Sequence, residues 1–242
     1  MPGHFSNGWK GGPVGAKHIL CYGDSNTWGY KPVAAVRYDE NTRWPCRLQK
    51  ALGEEYRVIE AGLSGRTTVF EDPFDEFRSG ISGLGYALLE ADPVDLVILS
   101  LGTNDLKFTT AAASARGIAS LISRIREITT HIPSDRIISA AAETHTPKAP
   151  KILVISPILV HPDIERIKSR TTFVGGHEKS LQFAAAFRQI AEASGAFFLD
   201  AAKVAFPSDA DGVHMTEEGH AALAVAVSEA VQEIFGTCLS EL

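Results

Sequence analysis

The run Val94-Asp95-Leu96-Val97-Ile98-Leu99-Ser100-Leu101 (VDLVILSL, 94–101) is apolar almost without interruption. A strand with one face in water alternates apolar and polar residues. An unbroken Val/Ile/Leu run therefore implies a strand covered on both faces, as in a parallel sheet lying between two layers of helices. KILVIS at 151–156 has the same texture. Five strands are expected in all: His18–Tyr22, Tyr56–Glu60, Asp95–Leu101, Lys151–Ser156 and Ala196–Asp200.

The stretches between them have apolar residues at helical spacing: RWPCRLQKALG (43–53), FRSGISGLGYALLEA (77–91), TAAASARGIASLISRIREITTHI (110–132) and HEKSLQFAAAFRQIAEASG (177–195). Gly195 suits the position just past a helix end. A last helix is expected over Glu217–Phe235, with Thr216 as its N-cap and two glutamates in its first turn. Strand and helix alternate throughout, which implies an α/β protein: a three-layer α/β/α sandwich around a five-stranded parallel sheet. In the flavodoxin-like order 2-1-3-4-5, the carboxyl ends of the second, first and third strands lie side by side, where such sheets bind ligands.

Three glycine-bearing loops would meet there. The first strand runs into Gly23-Asp24-Ser25-Asn26-Thr27-Trp28-Gly29, which places Ser25 at the start of a helix, where free N–H groups favour a developing oxyanion. The second strand ends in Glu60-Ala61-Gly62-Leu63-Ser64-Gly65-Arg66 and the third in Leu101-Gly102-Thr103-Asn104-Asp105. The backbone N–H of Gly65 and the amide of Asn104 are donors of the kind that stabilise a tetrahedral oxyanion, together with the Ser25 N–H. Taken singly, each motif is also an ordinary turn.

A nucleophilic serine needs a base held in the right tautomer. Asp211-Gly212-Val213-His214, just before the last helix, offers one: the carboxylate can accept from Nδ1 while Nε2 faces the serine. Asp24 and Asp105 could pass for a carboxylate pair, yet each stands beside a better candidate and can simply anchor its loop. Asp24 and Trp28 are candidates for the substrate pocket. The other histidines show no metal-ligand spacing and no H-E-x-x-H signature, so no metal is expected.

The order Gly23-Asp24-Ser25, Gly65, Gly102-x-Asn104-Asp105, Asp211-x-x-His214 resembles the GDSL/SGNH hydrolases block for block. TRWP (42–45), EAGLSGRTTVFEDP (60–73), LGTNDLK (101–107), APKILVISP (149–157) and DGVHMT (211–216) are closest in texture to the bacterial arylesterase/acyltransferase branch. Asn26 departs from the usual GDSL, in which Leu follows the serine. The resemblance implies a serine esterase (a carboxylic ester hydrolase) with Ser25 as nucleophile, His214 as base and then acid, and Asp211 as its orienting partner. Ser25, Gly65 and Asn104 would form the oxyanion hole. It implies no cofactor, small acyl ester substrates with water or an alcohol as acceptor, and a homo-oligomer. The alternatives are a carbohydrate O-acetylesterase of the same superfamily, a non-catalytic flavodoxin-like nucleotide-binding module and an inactive scaffold. Against nucleotide binding, the first loop has neither G-x-G-x-x-G nor G-x-x-x-x-G-K.

Composition agrees with one soluble domain. The 242 residues are 45% hydrophobic and 21% charged, long enough to bury a core without disulfides. A formal charge of −6 gives no attraction to phosphate backbones or anionic membranes. Three widely spaced cysteines, Cys21, Cys46 and Cys238, indicate neither a disulfide framework nor a thiolate metal site. The N-terminus lacks the apolar segment of a secretory signal, and no run is long enough to span a membrane, so a cytoplasmic protein is expected. Residues 1–16 read as a flexible arm before a single domain over 17–242. The longer connections at 129–150 and 157–179 are candidates to cover a pocket or a subunit interface.

Overall fold

The computed structural model describes residues 15–131, 149–167 and 172–236. Most of the expected N-terminal arm, most of the 129–150 connection and Cys238 lie outside these.

Five parallel strands form the sheet: β1 (Lys17–Gly23), β2 (Tyr56–Gly62), β3 (Leu96–Ser100), β4 (Lys151–Ser156) and β5 (Phe197–Asp200), in the spatial order β2-β1-β3-β4-β5. This is the expected flavodoxin-like order. Seven helices are described: α1 (Ser25–Trp28), α2 (Trp44–Leu52), α3 (Gly80–Ala91), α4 (Ala111–His131), α5 (Gly176–Ser180), α6 (Phe183–Ala193) and α7 (Glu217–Phe235).

Pleating explains why the strands lack polar alternation: successive side chains point to opposite faces, and both faces are covered. Leu20 and Tyr22 of β1, Val97 and Leu99 of β3, and Val154 of β4 join the core beneath α3, α4 and α6. Their neighbours Ile19, Cys21, Leu96, Ile98 and Leu153 join the core beneath α2 and α7. Each fully buried Leu or Ile contributes roughly 1.5–3 kcal/mol. One polar substitution in either set would therefore expose a whole layer's packing to loss.

The 177–195 stretch, expected as one helix, forms two, α5 and α6. The intervening Leu181 and Gln182 keep near-helical dihedrals (φ −57°, ψ −21° and φ −90°, ψ −8°), so the apolar spacing carries through the break. A two-residue ribbon, Tyr30–Lys31 with Val36–Arg37, was not foreseen, being too short to show a period. The last helix has the expected bounds: Thr216 Oγ1 accepts from the Gly219 N–H at 3.3 Å, and Gly236 closes the helix in the left-handed region. Among the described residues, no helix is long and apolar enough to cross a membrane.

Register decides what happens at the carboxyl edge. Gly23 of β1 lies opposite Gly62 of β2 and Ser100 of β3, so three loops leave the sheet at one level. They are packed tightly. A Cβ on Gly62 would stand 2.2 Å from the Trp28 nitrogen, so only glycine lets the second loop lie against α1.

Candidate active site

Ser25 opens α1 directly after β1, with Asp24 as N-cap: its carboxylate accepts from the Asn26 N–H at 2.9 Å. Burial pushes the Asp24 carboxyl up to about 7, with the buried Asp105 adding to the effect against the lowering by the Asn26 N–H. The Ser25 N–H is one of the opening amides of a helix, which have no intrahelical acceptor.

The loop before α7 brings His214 to the serine. His214 Nε2 lies 2.8 Å from Ser25 Oγ, and His214 Nδ1 lies 2.6 Å from Asp211 Oδ2. Asp211 Oδ1 also accepts from the N–H groups of Val213 and His214, at 3.2 and 3.1 Å. Burial by itself would raise the Asp211 carboxyl; the hydrogen bond and charge of His214, with those two amides, bring it down to about 2. An ionised carboxylate at Nδ1 assigns the proton to that nitrogen and leaves Nε2 as the acceptor facing Ser25 Oγ. All three residues are buried. Tyr30, from the unforeseen ribbon, stacks on the imidazole with ring centroids 4.2 Å apart.

The second and third loops brace one another beside the serine. Asn104 Nδ2 donates to the Arg66 carbonyl at 3.1 Å. The Arg66 guanidinium in turn donates to the carbonyls of Gly23 (2.8 Å) and Ala61 and lies over the Tyr22 ring. Asp105 accepts from the Thr68 N–H (2.9 Å), Thr68 Oγ1 (3.0 Å) and Ser114 Oγ (3.0 Å). It is fully buried, and burial outweighs these donors to push its carboxyl up to about 6. It anchors a loop, as one of its two expected readings had it.

A cavity of about 250 Å³ opens on this arrangement, lined by Ser25, Gly65, Asn104 and His214 together with Tyr30, Ser64, Asp75, Arg78, Thr103, Lys107, Thr172, Phe173 and Val213. Thr172 and Phe173 bring the 157–179 connection into its wall. The structure thus gathers Ser25, Gly65, Asn104, Asp211 and His214. Asp24 and Trp28, expected as pocket candidates, are not among the lining residues. The Asp24 carboxylate is turned back onto its own helix, and Trp28 lies beside Tyr30 with the Arg37 guanidinium over its ring. Sequence reasoning missed Tyr30, Arg78 and Phe173, which stand in stretches without a motif. Asn26 it noticed only as a departure.

His220, Cys21 and Cys46 lie outside the cavity lining. His220 is buried in α7 with its ring edge-on to Tyr38, and burial pushes it down to about 4. Cys21 and Cys46 are free thiols, the latter pushed up to about 11 chiefly by burial and its hydrogen bond to Glu60. Among the described residues, no group of three His, Cys, Asp or Glu could hold a metal ion.

Comparison with known proteins places the chain in an esterase family. The model of the GDSL-like lipase/acylhydrolase family matches residues 21–222. The acetylxylan esterase of Xylanibacter ruminicola is 27% identical over 146 residues, 59% of this chain; the matched segment spans only 28% of that relative's length. A carbohydrate acetylesterase from Sinorhizobium meliloti superposes with a TM-score of 0.81 at 32% identity, covering 90% of this chain and 100% of the other. The aryl esterase of M. smegmatis does so with a TM-score of 0.78 at 36% identity, covering 90% and 99%.

Proposed function

Because the chain belongs to the GDSL-like lipase/acylhydrolase family, we propose that it is a serine esterase of small acyl esters working through an acyl-enzyme on Ser25. The observation that carries this reading is the continuous chain of contacts from Asp211 to His214 Nδ1 (2.6 Å) and from Nε2 to Ser25 Oγ (2.8 Å).

His214 Nε2 takes the hydroxyl proton as Ser25 Oγ attacks the ester carbonyl. The resulting oxyanion receives the N–H groups of Ser25 and Gly65 and the free N–H of the Asn104 amide. The imidazolium, stabilised by Asp211, then protonates the leaving alcohol. Water, or a second alcohol, enters and gives its proton to Nε2 while attacking the acyl carbon; the imidazolium then returns that proton to Ser25 Oγ as the bond from the acyl carbon to Oγ breaks, which restores both residues. The modest cavity and its Tyr30 and Phe173 walls support an acetyl-type acyl group with an aryl or alkyl alcohol. Transfer to an added alcohol rests on the resemblance of the 60–73 and 101–107 stretches to acyltransferases.

The test is burst kinetics on an aryl acetate. Wild type should release a burst of phenol equal to the enzyme concentration whenever deacylation is slower than acylation, and an organophosphonate probe should map to Ser25. Ser25→Ala should lose both. A serine variant that keeps its hydrolysis rate and its labelling would overturn the assignment.

A second reading, a carbohydrate O-acetylesterase, is favoured by Asp75, Arg78 and Lys107 in the cavity lining, which suit a hydroxylated alcohol. The ratio of kcat/KM for acetylated xylo-oligosaccharides to that for phenyl acetate separates the two.

A further inference from the structure

We infer, on the reading that His214 is the base, that Asn26 is a positioning residue that holds the His214 backbone, and so the imidazole, against Ser25. Asn26 follows the serine directly and is 8% exposed. Its side-chain Nδ2 donates to the Val213 carbonyl at 3.1 Å, and its Oδ1 accepts from the Met215 N–H at 3.0 Å. One amide thus grips the residues on either side of His214.

The pattern has a physical meaning. In a parallel ladder, a residue bonds the carbonyl before and the N–H after the residue it faces. The Asn26 amide takes the place of that neighbouring strand, with His214 as the residue faced. The opposite edge of the segment is held as well: the Ser208 N–H donates to the His214 carbonyl at 2.8 Å, and Pro207 bridges Met215. The segment around His214 is thus held from both sides, with His214 Nε2 2.8 Å from Ser25 Oγ.

The clamp also explains why the base tracks the nucleophile. Residues 26 and 214 are far apart in sequence, and the Asn26 amide ties the backbone of the loop before α7 to the serine's own helix. Because Asn26 is bonded to Ser25 through the backbone, displacement of the clamp and displacement of the nucleophile are the same movement. Leucine at 26 has neither donor nor acceptor, so Asn26→Leu would leave a buried carbonyl and a buried N–H unpaired.

The experiment compares Asn26→Leu with wild type on an aryl acetate, alone and in a His214→Ala background. It also records the low-field proton resonance of the short His214 Nδ1–Asp211 hydrogen bond. The expected result is a kcat lower by about 10- to 100-fold with KM within about twofold, the cost of a misplaced catalytic group, together with loss or broadening of that resonance. In the His214→Ala background the same substitution should have no further effect, because its partner in catalysis is already gone. Unchanged kcat and an unchanged resonance in a folded Asn26→Leu protein would overturn the inference. So would an equal loss in both backgrounds, which marks a purely structural contact. Should Asn26→Leu fail to fold, Asn26→Asp decides by the same readouts, since it keeps the acceptor for Met215 but sets oxygen against the Val213 carbonyl. If His214→Ala itself retained full activity, the esterase mechanism would fail, a result separate from any on Asn26.

Discussion

The Asn104 amide donates to the carbonyl oxygen of Arg66 at 3.1 Å, across the gap between the loops that follow β3 and β2. This bond uses one N–H of an amide that lines the cavity, and in the proposed function the other N–H meets the oxyanion. On the proposed mechanism, Asn104→Ala lowers kcat on an aryl acetate by about 10²–10³-fold with little change in KM. Steady-state kinetics measures it, and an equal rise in KM without loss of kcat would place Asn104 in ground-state binding instead.

Gly65 is held at φ 80°, and a Cβ there would meet the Arg78 side chain at 3.3 Å. Gly65→Ala should cost about 1–2 kcal/mol of stability from the left-handed backbone. On the proposed mechanism it should also lower kcat, because the Gly65 N–H turns with that backbone. Denaturant unfolding and kinetics on the same preparation report the two effects.

Asp211 is held at about 2 by His214 and two backbone amides, against its burial. This is a lowered carboxyl, so its contribution to stability is present above the ordinary value near 3.8 and is lost as pH falls toward 2. It stays ionised wherever the enzyme is assayed. Asp211→Asn should therefore lower kcat by about 10⁴-fold through the wrong imidazole tautomer, with no recovery at any pH between 5 and 9 on a pH–rate profile.

Asp105 has the opposite sign. Its carboxyl is raised to about 6, so the folded state binds a proton that the unfolded chain, near 3.8, releases. That contribution is full below the unfolded value and disappears as pH rises through about 6. Asp105→Asn removes the titration, and its Tm should vary less between pH 4 and 6 than that of wild type, as thermal unfolding at stepped pH would measure. An unaltered slope would mean that Asp105 is ionised in the folded protein throughout.

Much of the fold was legible because parallel strands buried on both faces leave a strong mark. The Val/Ile/Leu runs at β3 and β4 and the capping signals at Thr216 place their elements within a residue or so. The break between α5 and α6 left no mark, since near-helical dihedrals carry the apolar spacing through it. The Tyr30–Lys31 ribbon left none either, because two residues cannot display a period.

For the site, the residue types were readable and their neighbours were not. Serine after a strand, Asn104 in a glycine loop and Asp211 three residues before His214 follow from local spacing and the sheet order. By itself, then, the sequence determined the α/β sandwich, its strand order and the five residues proposed for chemistry, since these depend on local periodicity and on loops that must leave one edge of the sheet. Only the tertiary structure decided that Tyr30 stacks on His214, that Asp24 and Trp28 lie off the cavity, and that the Asn26 amide bonds the residues on either side of His214. Those are contacts between segments nearly 190 residues apart in the case of Asn26 and Met215. They are set by side-chain packing and hydrogen-bond pairing across the folded edge, which no local pattern encodes.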